Sequence, residues 1–107
     1  MNYSVNITDI AEGDILSTVE YIAEVLQNTI AANNLLDEIE KCEIKLEYTP
    51  HIYPFVSDEY LAKKGIKFIM IKNYIIFFVI NEDDNIVNVI RFLHGRRDWK
   101  NILRENV

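Results

Sequence analysis

Cysteine occurs once in these 107 residues, at Cys42. An internal disulfide is therefore excluded, and so is a metal cluster built on several thiolates. Long apolar runs are also missing. The longest, Tyr74 to Ile80, falls far short of the roughly 20 residues a membrane-spanning helix needs. Both prolines lie between residues 49 and 65, and no repeat or low-complexity tract interrupts the rest. Positive charge is scarce in the first part of the chain. Residues 1–62 hold two lysines against twelve acids, a balance of −10, whereas residues 63–107 balance at +4. The net charge of −6 thus argues against indiscriminate nucleic-acid binding while leaving room for a local basic face. Asn2-Tyr3-Ser4 and Asn6-Ile7-Thr8 match the glycosylation pattern but follow no secretory signal, so a cytoplasmic location is expected.

What is present describes a globular domain. Half of the residues are hydrophobic and 26% are charged, and the length suits a single domain over residues 1–107 with one core. Tyr3 to Thr8 alternates apolar and polar residues, the period of a half-buried strand. Thr8-Asp9, with Glu12 three residues on, offers a helix start. Ile15, Val19, Ile22, Ala23 and Leu26 then share one helical face. Asn28-Thr29 restarts the pattern, and Ala32, Leu35, Leu36, Ile39, Cys42 and Leu46 form a second stripe ended by Thr49-Pro50. Two helices with so short a joint must fold back as an antiparallel hairpin.

Residues 49–65 read as a surface-crossing loop whose many apolar residues pack it down. Three β-type runs follow, Ile66 to Ile71, Tyr74 to Ile80 and Ile86 to Leu93, separated by short polar gaps that imply an antiparallel meander. The middle run is apolar on both faces and so belongs at the centre of the sheet, beneath the helical hairpin. Residues 98–104 form a short C-terminal helix, with Asp98 as its cap and Trp99 anchoring it to the sheet. The expected fold is α+β, one antiparallel sheet with helices on one side, in the order strand, two helices, three strands, helix.

The chemistry concentrates at the end of the last strand, in Arg91-Phe92-Leu93-His94-Gly95-Arg96-Arg97-Asp98-Trp99. A strand that delivers guanidinium and imidazole groups at its end presents them from a rigid support. An imidazole titrates near neutral pH and can serve as acid or base. Arginines form charge-assisted bonds to phosphate. Lys67 lies on a neighbouring strand and could join them.

This closing segment does not stand alone. Thr8, Ala11 and Asp14 open the first helix, followed by Tyr21-Ile22-Ala23. Ala31-Ala32 opens the second, and Pro50, Tyr53-Pro54, Asp58-Glu59 and Tyr74 come in order after it. Taken together, and over nearly the whole chain, this series resembles the bacterial RelE/ParE toxin superfamily. The resemblance implies the toxin half of a two-gene toxin–antitoxin module, held inactive by a small cognate antitoxin and linked to plasmid maintenance or stress.

Members act in two ways. RelE-like toxins cut mRNA in the ribosomal A site without a metal; ParE-like toxins poison DNA gyrase and perform no chemistry. For the first activity, a metal-independent endoribonuclease with no cofactor, His94 and Arg91 are the catalytic candidates, and Lys67, Arg96 and Arg97 would bind RNA or another target. Two departures stand out. The strand Tyr74-Ile75-Ile76 has isoleucine where RelE-like toxins place a cation, and their paired lysines in the preceding strand are reduced to Lys67, with Ile69 in the second place. The Leu-His-Gly-Arg-Arg-Asp ending is closer to ParE-like members. The resemblance thus implies growth arrest by ribosome-dependent mRNA cleavage or translation block as the first expectation, with gyrase poisoning, or a degenerate toxin-fold binding module, as the alternatives.

Overall fold

The computed structural model of the chain describes residues 2–106. Strand β1 (Ser4–Ile7) leads into α1 (Asp9–Glu20), which closes in a π-helical turn at Tyr21–Val25. Helix α2 (Thr29–Tyr48) follows, then a 3-10 turn (Pro50–Ile52) and the five-residue α3 (Glu59–Lys63). Strands β2 (Lys67–Ile71), β3 (Tyr74–Asn81) and β4 (Ile86–His94) precede α4 (Trp99–Asn106).

The four strands form one sheet in the order β1-β4-β3-β2. β2, β3 and β4 are antiparallel, as the short polar gaps predict, but β1 runs parallel to β4, so the sheet is mixed rather than wholly antiparallel. Alternation marks β1 as a strand without naming its neighbour. The neighbour is set by the crossover through α1 and α2, which returns the chain so that β1 borders the last strand. Thr8 secures the corner. Its hydroxyl donates to the Val89 carbonyl at 2.9 Å and accepts from the Ala11 amide at 3.3 Å, capping α1 while fastening it to β4.

Helices lie on both faces, not on one. Ile76 and Phe78 of β3, with Val87, Val89 and Phe92 of β4, meet Ala11, Ile15, Ile22, Ala32, Leu35, Ile39 and Leu46 from the helical hairpin. On the other face Ile75, Phe77 and Leu93 meet Val56, Leu61, Ile66 and Leu103. The residues of β3, apolar in both alternating sets, require this second cover, and α3, α4 and the segment before α3 supply it. Trp99 packs on Phe77 with ring centroids 5.4 Å apart, the anchoring expected of it. Asp98 stands at the head of α4, its carbonyl accepting the Ile102 amide at 3.1 Å, while its Oδ2 accepts the Asn101 side-chain amide at 2.6 Å. Leu26 and Leu36, placed on the buried stripes by periodicity, are exposed. Leu26 falls beyond the π turn, whose extra residue shifts the helical phase. Cys42 is buried beside Leu46, and desolvation pushes its thiol up to about 11, so it remains protonated and packs as a small apolar group.

Residues 49–65 carry more order than a loop. Asp58 caps α3 by accepting the Leu61 amide at 3.1 Å, and its other oxygen accepts from Arg104 of α4 at 2.8 Å. The Leu61 amide, seconded by Arg104, holds the carboxyl below its ordinary value. A carboxylate depressed on folding stabilises the native state above the unfolded value and loses that contribution as pH falls through the folded one. Acidification below about pH 4 should therefore loosen the α3–α4 contact. In thermal melts monitored by circular dichroism, the gap between the wild type and Asp58→Asn should be open at pH 7 and closed at pH 3. A gap unchanged across that range would refute the capping role.

Candidate functional site

The His94 end of the sheet is a cleft between the last turn of α1 and the β3–β4 hairpin. His94 pairs with Tyr74 in the register of the hairpin. Their rings meet edge-on at 5.2 Å, and Tyr74 stacks on Phe92 at 5.2 Å with the planes 14° apart. Ser17, Thr18 and Tyr21 close the other side of an open cavity of about 290 Å³. The π turn begins at Tyr21, with the Leu26 amide bonded to the Tyr21 carbonyl, a local distortion often found beside functional surfaces. Gly95 lets the chain pass close to the neighbouring turn: its amide donates to the Asn73 carbonyl at 2.8 Å, and a Cβ there would lie 3.4 Å from that oxygen.

The turn after β4 fixes the imidazole. The Arg96 amide donates to His94 Nδ1 at 3.0 Å, and the Arg97 amide donates to the His94 carbonyl at 3.0 Å. A ring nitrogen that accepts a hydrogen bond carries no proton, so the neutral ring holds its proton on Nε2. Arg96 and Arg97 are exposed, and among the described residues neither guanidinium has an ion-pair partner. His94, Arg96 and Arg97 thus share one turn, with both arginine backbone amides bonded to His94 and both arginines exposed.

Arg91 and Lys67 do not join them as free cations. Arg91 forms a two-pronged ion pair with Asp14, Nε to Oδ2 at 2.7 Å and Nη2 to Oδ1 at 2.9 Å, with both side chains only 14% exposed. Asp14 Oδ2 also accepts the Phe92 amide at 3.1 Å. β1 pairs with β4 only as far as Val89, so the edge of β4 beyond it lacks a strand neighbour, and Asp14 satisfies that edge in place of one. A bulge contributes: Phe77 pairs with Arg91 and Phe78 with Val89, leaving Ile90 as the extra residue that re-aims Arg91.

Lys67, expected as a target-contacting cation, is 9% exposed. Its ammonium donates to the Tyr53 carbonyl at 2.7 Å and lies over the Phe55 ring at 4.3 Å, fastening the segment before α3. It pairs with Phe78, four residues along β3 from Tyr74, which with the strand spacing puts it roughly 16 Å from His94. His51, for which the sequence offers no partner, bonds Tyr3 at 2.9 Å and lies 3.3 Å from Glu82, beyond the far end of β3. Among the described residues, no group of three or more His, Cys, Asp or Glu side chains could hold a metal ion.

Sequence reasoning did not single out Tyr74, Tyr21 or Asp14 as parts of the site. The hairpin register was the available signal for Tyr74, since the polar turn between Asn81 and Ile86 folds β4 back along β3 until Tyr74 lies opposite His94. Nothing in the spacing announces Asp14 as the partner of a residue 77 positions away.

Residues 5–99 match the family model described as ParE toxin of the type II toxin–antitoxin system parDE. The chain belongs to that family and is the toxin of a type II toxin–antitoxin module.

Solved structures of the same fold include the chromosomal ParDE system of P. aeruginosa, with 14% identity, 86% of this chain and 95% of that one covered, and a TM-score of 0.68. E. coli RelE, as a mutant in the free state, aligns over 100% of both chains at 9% identity with a TM-score of 0.62. The archaeal RelE–RelB complex of Pyrococcus horikoshii covers 91% of this chain and 99% of that one at 12% identity, with a TM-score of 0.56. No curated protein matches the chain in sequence. No helix among the described residues is long and apolar enough to cross a membrane.

Proposed function

We propose that this toxin arrests growth as a ParE-like poison of DNA gyrase, seating the Gly95–Asp98 turn and the His94 cleft on its target without performing chemistry, and that a cognate antitoxin holds it inactive. The observation that carries this reading is the engagement of the other cations. Metal-free RNA cleavage needs positive charge to neutralise the phosphorane, together with an acid and a base. Arg91 is neutralised by Asp14, and Lys67 is bound to a backbone carbonyl far from His94. Arg96 and Arg97 remain free on an exposed turn, an arrangement suited to docking on a charged surface. The family model points the same way, and the ParDE and RelE–RelB systems among the relatives support an antitoxin partner.

A second reading, ribosome-dependent mRNA cleavage, is favoured by the aromatic cleft: Tyr21, Tyr74 and His94 offer stacking surfaces beside two free arginines. One paired experiment separates the two. The chain is induced while transcript 5′ ends are mapped, and purified chain is added to gyrase in a supercoiling assay. The expected result is lost supercoiling with intact transcripts. New mRNA ends at codon boundaries with normal supercoiling would reverse the order of the two readings.

A further inference from the structure

The joint between α1 and α2 carries a row of apolar side chains out in water. Tyr21, Val25, Leu26 and Ile30 are between 53% and 75% exposed. Among the described residues, none of the four belongs to either core cluster or packs against one. The π turn gathers three of them. At 3.6 residues per turn an unbroken α-helix would set Leu26 about 140° round the axis from Tyr21, on the stripe of Ile15, Val19 and Ile22. The Leu26 amide instead reaches the Tyr21 carbonyl at 3.1 Å, five residues back, which brings Leu26, with Val25, onto the side of Tyr21. The distortion takes a leucine out of the core and so lowers the stability of the free chain.

The apex is also held in one shape. Gln27 takes a φ of 51°, a left-handed conformation that costs free energy in any residue with a side chain. The Asn28 amide donates to the Ile22 carbonyl at 3.0 Å, and its side chain caps α2 by accepting the Ala31 amide at 3.0 Å. A strained backbone, fixed by hydrogen bonds and presenting apolar side chains to water, is a cost that association with a partner offsets. Side chains already held in place lose little freedom when they are covered.

What covers them follows from where the ridge leads. Tyr21 begins the ridge and also walls the cleft shared with Tyr74 and His94. The cleft borders the turn that carries Arg96 and Arg97, both exposed. Apolar ridge, aromatic cleft and free arginines thus form one continuous surface, and tyrosine and arginine around an apolar centre are the usual composition of a protein-binding hot spot. We propose that Tyr21, Val25, Leu26 and Ile30 seat in an apolar hollow of the protein target, beside carboxylates that Arg96 and Arg97 meet. The proposal rests on the target-poisoning reading and extends its contact surface to the apex of the helical hairpin. The π turn then serves to position Leu26. Fit between ridge and hollow selects the target surface, while the arginines raise the rate of encounter.

The test uses the full purified chain and gyrase, reading the toxin concentration that halves supercoiling. Leu26→Gln should raise that concentration on the order of tenfold, and Val25→Ser/Leu26→Gln should raise it further. Leu26→Met keeps an apolar side chain of similar volume and should stay within about threefold of the wild type. Circular dichroism melts should be unchanged for all three, because these side chains already stand in water in the free chain.

Full inhibition by both polar variants, with the wild type inhibiting, would overturn the ridge assignment alone. A wild type that leaves supercoiling intact would overturn the gyrase reading and the ridge proposal with it. Inhibition that stays unchanged while a polar variant loses antitoxin affinity, or turns a dimeric chain monomeric, would give the ridge to that other occupant and overturn the proposal.

Discussion

Replacing Asp14 by alanine should destabilise the toxin by about 2–3 kcal/mol, at the lower edge of what breaking a buried ion pair costs, because both partners keep some contact with water. The substitution leaves the Arg91 guanidinium 14% exposed with no counter-charge and strips the Phe92 amide of its acceptor at the uncovered edge of β4. Removing the other partner should cost less. In Arg91→Met the methionine keeps much of the side-chain volume, and Asp14, partly hydrated, still accepts the Phe92 amide. A loss of about 1 kcal/mol is expected. The double variant should fall short of the sum, since the residues share one network. Urea denaturation of the two single variants and the double variant gives the cycle directly. A cost for Asp14→Ala within about 0.5 kcal/mol, the range of ordinary surface changes, would mean that the pair contributes nothing to stability.

That pair marks where reading the sequence stops. The elements themselves were legible because each has a local cause: the period-3.6 stripes of α1 and α2, the caps at Thr8 and Asn28, and the polar gaps between β2, β3 and β4. The closing cluster was legible as a cluster because His94, Arg96 and Arg97 are neighbours in the chain and a tight turn keeps them so.

What could not be read depends on long-range partners. The parallel pairing of β1 with β4 depends on how a crossover of two helices returns the chain. The capture of Arg91 by Asp14 depends on β1 ending at Ile7 while β4 runs on to His94, and on a bulge at Ile90 that no local pattern signals. The same holds for Lys67, whose hydrogen-bond partner Tyr53 comes from a segment that periodicity leaves as loop. Charge type is a property of the residue; whether that charge is free to act is a property of the fold.

Charge reversal in the turn after β4 should separate toxicity from folding. Arg96 and Arg97 are exposed and, among the described residues, bonded only through their backbone amides, so Arg96→Glu/Arg97→Glu should alter stability by no more than about 0.5 kcal/mol. At an interface, turning an arginine into a carboxylate removes a favourable contact and adds repulsion. At about 1–2 kcal/mol for each residue, the pair should weaken target binding on the order of 100-fold. Induction of this variant should therefore leave growth nearly normal, and, if gyrase is the target as proposed, purified protein should inhibit it only at much higher concentration. The comparison with Asp14→Ala is informative. That variant removes toxicity, if at all, by lowering the folded population, and its activity should recover on cooling toward the temperature of maximum stability. The Arg96→Glu/Arg97→Glu chain should remain folded and inactive at every temperature. If it arrests growth as the wild type does, the turn is not the surface that meets the target, and the cleft formed by Tyr21, Tyr74 and His94 must make that contact without it.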